Sequence, residues 1–132
     1  MRPIRHFLLF LLLSQPFRIL AQDADEKLVS DVLNERRIIR NDTLLVCYLA
    51  SDEKIVRPDL NKIYYSFDRD TILRTAGGFA GRLLNGEYKV YYPNKNLYES
   101  GWFYYGLKDG DWRTWNPDGS LKKVSHWKRG EQ

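Results

Sequence analysis

The chain has 132 residues, of which 43% are hydrophobic, 29% charged and 14% aromatic, with one Cys and one Met. Those figures fit one domain and exclude a disordered chain, and a single Cys excludes an internal disulfide framework. The formal charge of +4 overstates the basicity, because Arg2, Arg5 and Arg18 sit in an apolar leader that all 17 acids follow. Residues 22–132 therefore hold 18 bases against 17 acids, which excludes a strong electrostatic claim on nucleic acid.

Residues 1–21 have the layout of a secretory signal peptide. Arg2, Arg5 and His6 form a basic start, residues 7–13 (Phe-Leu-Leu-Phe-Leu-Leu-Leu) form an apolar run, and Ala21 offers a small residue for cleavage. A seven-residue helix spans about 10 Å, far short of the ~30 Å hydrocarbon core. The leader thus predicts export without a permanent anchor. The mature chain, residues 22–132, is expected to be periplasmic or secreted, with no integral membrane segment after cleavage.

Residues 22–60 carry 6 bases, 9 acids and a single aromatic residue, Tyr48. Leu28, Val29, Val32 and Leu33 have helical spacing and predict a short helix. Residues 43–50 (Thr-Leu-Leu-Val-Cys-Tyr-Leu-Ala) read as a strand, with residues 36–40 as its hairpin partner across the Asn41-Asp42 turn. Arg57-Pro58-Asp59 reads as a further turn. This region is expected to cap the repeats that follow, because the terminal units of an array need a different outer edge.

Residues 61–132 hold 15 aromatic residues and repeat with a period of 24. Gly86 recurs as Gly110, Tyr88 as Trp112, Tyr91 as Trp115, Pro93 as Pro117 and Leu97 as Leu121. Between residues 83–97 and 107–121, 4 of 15 positions are identical and 6 more are conservative exchanges. The period reaches back through Tyr64 and Phe67 and forward to Trp127 and Gly130, which gives three units near 62–85, 86–109 and 110–132. Each unit reads as a hairpin, with Pro93-Asn94-Lys95-Asn96 and Asn116-Pro117-Asp118-Gly119 as turns. The expected fold is all-β: tandem antiparallel β-hairpin repeats in an elongated, meandering sheet with a small N-terminal cap.

The run Gly86-Glu-Tyr88-Lys-Val-Tyr91-Tyr92-Pro93-Asn94, followed by Gly106 and then by Gly110-Asp-Trp112-Arg-Thr-Trp115-Asn-Pro-Asp-Gly119-Ser-Leu121, resembles the MORN repeat. It is most similar to the bacterial variant of YwqK-family antitoxins. The resemblance spans residues 62–132. Its first unit departs from the pattern, with Ile63 in place of the opening Gly and Arg82 where the later units have Gly106 and Gly130. The resemblance implies a hairpin array that binds rather than catalyses, with a protein partner.

The residues themselves give little support to catalysis, and no cofactor is expected. Cys47 lies in an apolar strand, where an inert buried thiol is the ordinary outcome. His126 is the single His after the leader, Asp68/Asp70 and Asp109/Asp111 flank turns, and no His, Cys or Asp cluster has metal-ligand spacing. Gly77-Gly78 and Gly81 lack the Lys-Ser/Thr of a phosphate loop and read as a bulge or turn.

The aromatic residues are the main signal. Strand alternation puts large rings on both faces of the sheet, either as cross-strand packing in place of a thick core or as an open ligand surface. The candidate binding surface is Tyr88, Tyr91, Trp102, Tyr104, Trp112, Trp115 and Trp127. Lys122, Lys123, Lys128 and Arg129 line the last strand, either as protection of an edge or as a docking edge. The functional expectation is a module that binds another protein, not nucleic acid; the alternative is a cell-wall or glycan module using exposed Trp and Tyr rings.

Overall fold

The computed structural model describes residues 31–51 and 54–132. The leader and the expected helical residues Leu28 and Val29 lie outside the described residues. Two compact units divide the chain, Met1–Leu33 and Asn34–Gln132, and the second holds every strand among the described residues. Residues 31–34 form one helical turn.

Eight antiparallel strands follow: β1 (Glu35–Arg40), β2 (Thr43–Leu49), β3 (Ile63–Asp68), β4 (Thr71–Ala76), β5 (Arg82–Tyr91), β6 (Leu97–Tyr104), β7 (Leu107–Trp115) and β8 (Leu121–Trp127). The sheet is open, in the order β1-β2-β5-β6-β7-β8, and β3 pairs with both β4 and the start of β5. The fold is thus all-β and built from hairpins.

Turn chemistry explains the first two hairpins. Arg40 pairs with Thr43 and Asp68 with Thr71, which leaves two-residue loops. Asn41 and Asp42 in one, and Arg69 and Asp70 in the other, all have φ between 44° and 61°. These are type I′ turns, whose twist matches that of the strands they join.

The later hairpins use a longer loop, and the sequence period reappears there in atomic detail. Tyr92 N donates to Asn96 O at 2.8 Å, and 24 residues on Asn116 N donates to Ser120 O at 2.8 Å. Asn96 N donates to Asn94 Oδ1, as Ser120 N does to Asp118 Oδ1. Each hairpin then slips register by one residue, between Val90 and Tyr91 and again between Thr114 and Trp115.

The repeat's opening Gly also has a structural cause. Cys47 pairs with Tyr88 but Leu49 with Leu84, so two extra residues bulge from β5 around Gly86. Ser100 pairs with Arg113 but Trp102 with Asp109, and the same bulge forms around Gly110. Gly86 and Gly110 have φ of 125° and 70°, a backbone region that side chains disfavour.

Register also shows which hairpin precedes β5 in the sheet. Arg36 faces Cys47 as Tyr88 faces Gly101 and Trp112 faces Ser125. The β1–β2 hairpin, within the stretch expected as a cap, therefore stands where a repeat would stand. Glu35-Arg36-Arg37 takes the place of Glu87-Tyr88-Lys89 and Asp111-Trp112-Arg113. The β3–β4 hairpin, expected as the first repeat, leaves this path: β4 pairs with β3 alone, and β3 meets β5 only at Ser66 and Phe67.

One face of the sheet is the core. Cys47, Leu49, Leu84, Phe103 and Trp112 are buried together, and Tyr65, Phe67 and Ile72 of the β3–β4 hairpin pack against them with Leu45, Tyr88 and Trp127. Phe103 is the hub: its ring lies 4.9 Å from Tyr65, 5.3 Å from Tyr88 and 4.9 Å from Trp112. Such pairs add about 0.5–1.5 kcal/mol each beyond burial.

Candidate interaction surface

The face opposite the core is organised in three rows that run across the strands. Pairing places Arg37, Val46, Lys89, Ser100, Arg113 and Val124 in the middle row. A polar row beside it contains Glu35, Tyr48, Glu87 and Trp102, and continues on the last two strands as Asp111 and His126. On the other side runs an apolar row: Ile39 and Leu44, then Tyr91 and Leu97, then Trp115 and Leu121.

The charges on this face are paired along the strands. Residues two apart point the same way, so each acid meets the base two residues later. Arg37 Nε donates to Glu35 Oε1 at 2.5 Å, Lys89 Nζ lies 2.7 Å from Glu87 and Arg113 Nη2 lies 2.7 Å from Asp111. Tyr48 Oη also donates to Glu35, at 2.9 Å, and the Arg37 and Tyr48 hydrogen bonds hold the Glu35 carboxyl below its usual range. The His126 ring, 2.6 Å away, and then Arg113 do the same for Asp111. Three acids face three bases, so the ladder itself is close to neutral.

The seven aromatic candidates divide between the two faces. Trp112 is 3% exposed and belongs to the core, with Tyr88 and Trp127 packed beside it. Tyr91, Trp102 and Trp115 lie on the opposite face, where Trp102 is 52% exposed. Ile39 and Leu121, at the two ends of the apolar row, are 73% and 55% exposed. Tyr104, on the same face as Trp102, is enclosed by cations. Lys54 Nζ bonds its hydroxyl at 3.2 Å and the Arg129 guanidinium lies 3.4 Å from its ring centroid. The Lys54 bond, then Arg129, lowers the Tyr104 phenol from its ordinary value.

Cys47 and His126 are held apart, with β5, β6 and β7 between their strands. Burial pushes the Cys47 thiol up to about 11, so it is neither ionised nor accessible. Asp109 accepts the backbone N–H of Arg129 at 3.0 Å, which accounts for a carboxylate beside that turn. Among the described residues, no group of three or more His, Cys, Asp or Glu side chains is placed to hold a metal ion. Among the same residues no helix is long and apolar enough to cross a membrane.

No family model, curated protein or solved structure matches this chain. What the surface offers is an apolar row and an exposed indole beside a ladder of neutralised charge pairs.

The ladder escaped the sequence reading because its first rung, Glu35-Arg36-Arg37, lies 52 residues before its second, Glu87-Tyr88-Lys89, and not 24. A search for acid-x-base triplets on strands would have found all three.

Proposed function

We propose that this chain is an exported, non-catalytic repeat module that binds another protein through the open face of its sheet. The observation that supports this most is the uncovered row from Ile39 to Leu121, with Trp102 standing exposed across the charge ladder. Interface cores are enriched in aromatic residues, and this face presents Tyr91, Trp102 and Trp115 beside charges that are already paired. The resemblance of residues 86–121 to MORN repeats of antitoxin type favours a protein partner. The apolar leader favours a place outside the cytoplasm.

The test is capture from an envelope extract of the producing cell. Purified chain is compared with a Trp102→Ala/Trp115→Ala variant that keeps the same circular dichroism spectrum. A protein held by the first bait and lost from the second supports the reading. A protein held equally by both overturns the assignment of the open face. Wall fragments or glycans in its place would point to sugar stacking on Trp102, the alternative the aromatic content already raised.

A further inference from the structure

We infer that the outer edge of β8 is a second docking site, which takes an extended, acidic segment of a partner protein carrying one aromatic residue to lie over Ser125. The sheet itself supplies the precedent. The strands β2, β6 and β8 are equivalent in register, since Cys47, Gly101 and Ser125 occupy the same place in their hairpins. The edges of β2 and β6 are covered by β5 and β7, whereas β8 is the last strand of the sheet.

What covers β2 and β6 defines what would cover β8. Each of the three strands has a small residue at the shared position, and on the first two an aromatic residue of the next strand sits there. Tyr88 pairs with Cys47. Trp112 lies so close over Gly101 that a Cβ would run into its indole. The next core-face residue flanks each ring, Leu49 in the first case and Phe103 in the second. At β8 the small residue is Ser125 and the flanking one Trp127, both half-buried; the Trp127 indole donates to Ser125 Oγ at 3.0 Å, and no following strand brings in a second ring.

Charge selects the occupant. Lys122, Lys123 and Lys128 are exposed, and among the described residues none of them has a carboxylate partner. β7, which covers the equivalent edge of β6, carries Asp109 and Asp111 with Lys108 and Arg113 and has no excess of acid, so the preference for an acidic segment comes from the three lysines of the β8 edge alone. A second copy would have to offer one of its own free edges, β1, β4 or β8, and these carry Arg36, Arg37 and Arg40 against one acid, Arg74 with no acid, and Lys122 and Lys123 with no acid. Like charges facing one another disfavour that pairing. Strand addition to an exposed edge takes its affinity from backbone hydrogen bonds and its specificity from side-chain slots, here the Ser125 position.

The probe is a synthetic peptide with the sequence of residues 107–116, titrated into the 15N-labelled chain. A companion peptide has the Lys108 and Arg113 positions changed to Glu. Binding is expected to shift the amides of residues 122–127 and the Trp127 indole. The acidic peptide is expected to bind about tenfold more tightly at low salt, and Trp112→Ala in the peptide to weaken it about tenfold. Lys122→Glu/Lys123→Glu in the protein, two exposed changes, should cost about fivefold. Trp102→Ala in the protein should leave peptide binding unchanged, so this site and the open face fail independently. Shifts confined to β1 or to the open face, or equal binding of the Trp112→Ala peptide, would overturn the inference. So would protected β8 amides in a self-associated free chain.

Discussion

The indole of Trp112 lies across the bare Cα of Gly101, and its Nε1 donates to the carbonyl of Trp102 at 3.2 Å. The hydrogen bond fixes the ring in the place a side chain at 101 would occupy. Glycine here serves close approach and not turn geometry, since its φ lies outside the left-handed region. Gly101→Ala should therefore lower stability by about 1–3 kcal/mol, the usual cost of overpacking a core. Trp112→Ala should cost about 3–5 kcal/mol, whereas the exposed Trp102→Ala should stay within about 0.5 kcal/mol. Urea midpoints for the three variants check the order. Equal losses at 102 and 112 would overturn the assignment of Trp112 to the core and Trp102 to the open face.

Much of this fold was legible in the sequence, and the limits have a physical origin. A constant spacing of 24 fixes loops and bulges alike, so β5 to β8 followed from the recurrence of Gly86, Tyr88, Pro93 and Leu97. Asn41-Asp42 identified the β1–β2 hairpin, because few residues other than Gly, Asn and Asp accept two positive φ values in succession. The equivalence of that hairpin with the later units was hidden by the interposed β3–β4 pair, which breaks the period. Which face is the core was hidden as well. Trp102 and Trp112 are alike in hydrophobicity, and alternation divides rings between faces without saying which face is covered. The decisive clue was a small residue opposite a large one, as in Gly101 opposite Trp112, and pairing has to be known before it can be seen.

The two long turns allow a matched exchange. Lys95 and Gly119 hold the same place 24 residues apart, and their N–H groups donate to Tyr92 O and Asn116 O at 2.9 Å. Their φ values are 69° and 87°, left-handed in both. A lysine there bears a steric cost of about 1 kcal/mol that glycine avoids, less the greater freedom glycine regains on unfolding. Lys95→Gly should raise stability by up to about 0.5 kcal/mol. Gly119→Lys should lower it by a similar amount, because nothing lies within 4 Å of a Cβ at 119 and backbone strain is the whole effect. Thermal midpoints moving in opposite directions support this; a loss from Lys95→Gly would show that the lysine side chain is needed where it is.

Lys108 links the core to β8. Its ammonium lies 3.9 Å from the Trp112 ring centroid, 5.3 Å from Trp127 and 5.8 Å from Tyr65, and 3.7 Å from Glu99. Both side chains of this ion pair are largely buried, so the contacts are less screened than those of a surface pair. A double-mutant cycle of Lys108→Met with Trp127→Leu should give a coupling of about 0.5–2 kcal/mol. Lys108→Met alone should destabilise more than Lys108→Met combined with Glu99→Gln, since the single change leaves the carboxylate half-buried without its cation. A coupling near zero would reduce the three rings to neighbours of an aliphatic stem.

Cys47 should give stability a slope in alkaline solution. Its thiol is pushed up to about 11 by burial, from 9.0 when unfolded. The folded state therefore keeps the proton longer than the unfolded state does. The contribution is complete below pH 9 and is lost as pH rises from 9 to 11, because there the unfolded chain holds fewer protons. Between pH 8 and 10.5 the loss from this group is on the order of 1–2 kcal/mol. Tyr88, also raised chiefly by burial, adds a similar slope above its ordinary value of 10.0. Urea midpoints at the two pH values should thus fall for the native chain and fall less for Cys47→Ala, which retains only the Tyr88 part. A thiol reagent at pH 8 should modify Cys47 no faster than the chain opens, so the labelling rate should rise with urea in step with unfolding. Rapid labelling without urea, or equal alkaline losses in the two proteins, would show that the strand around Cys47 opens on its own.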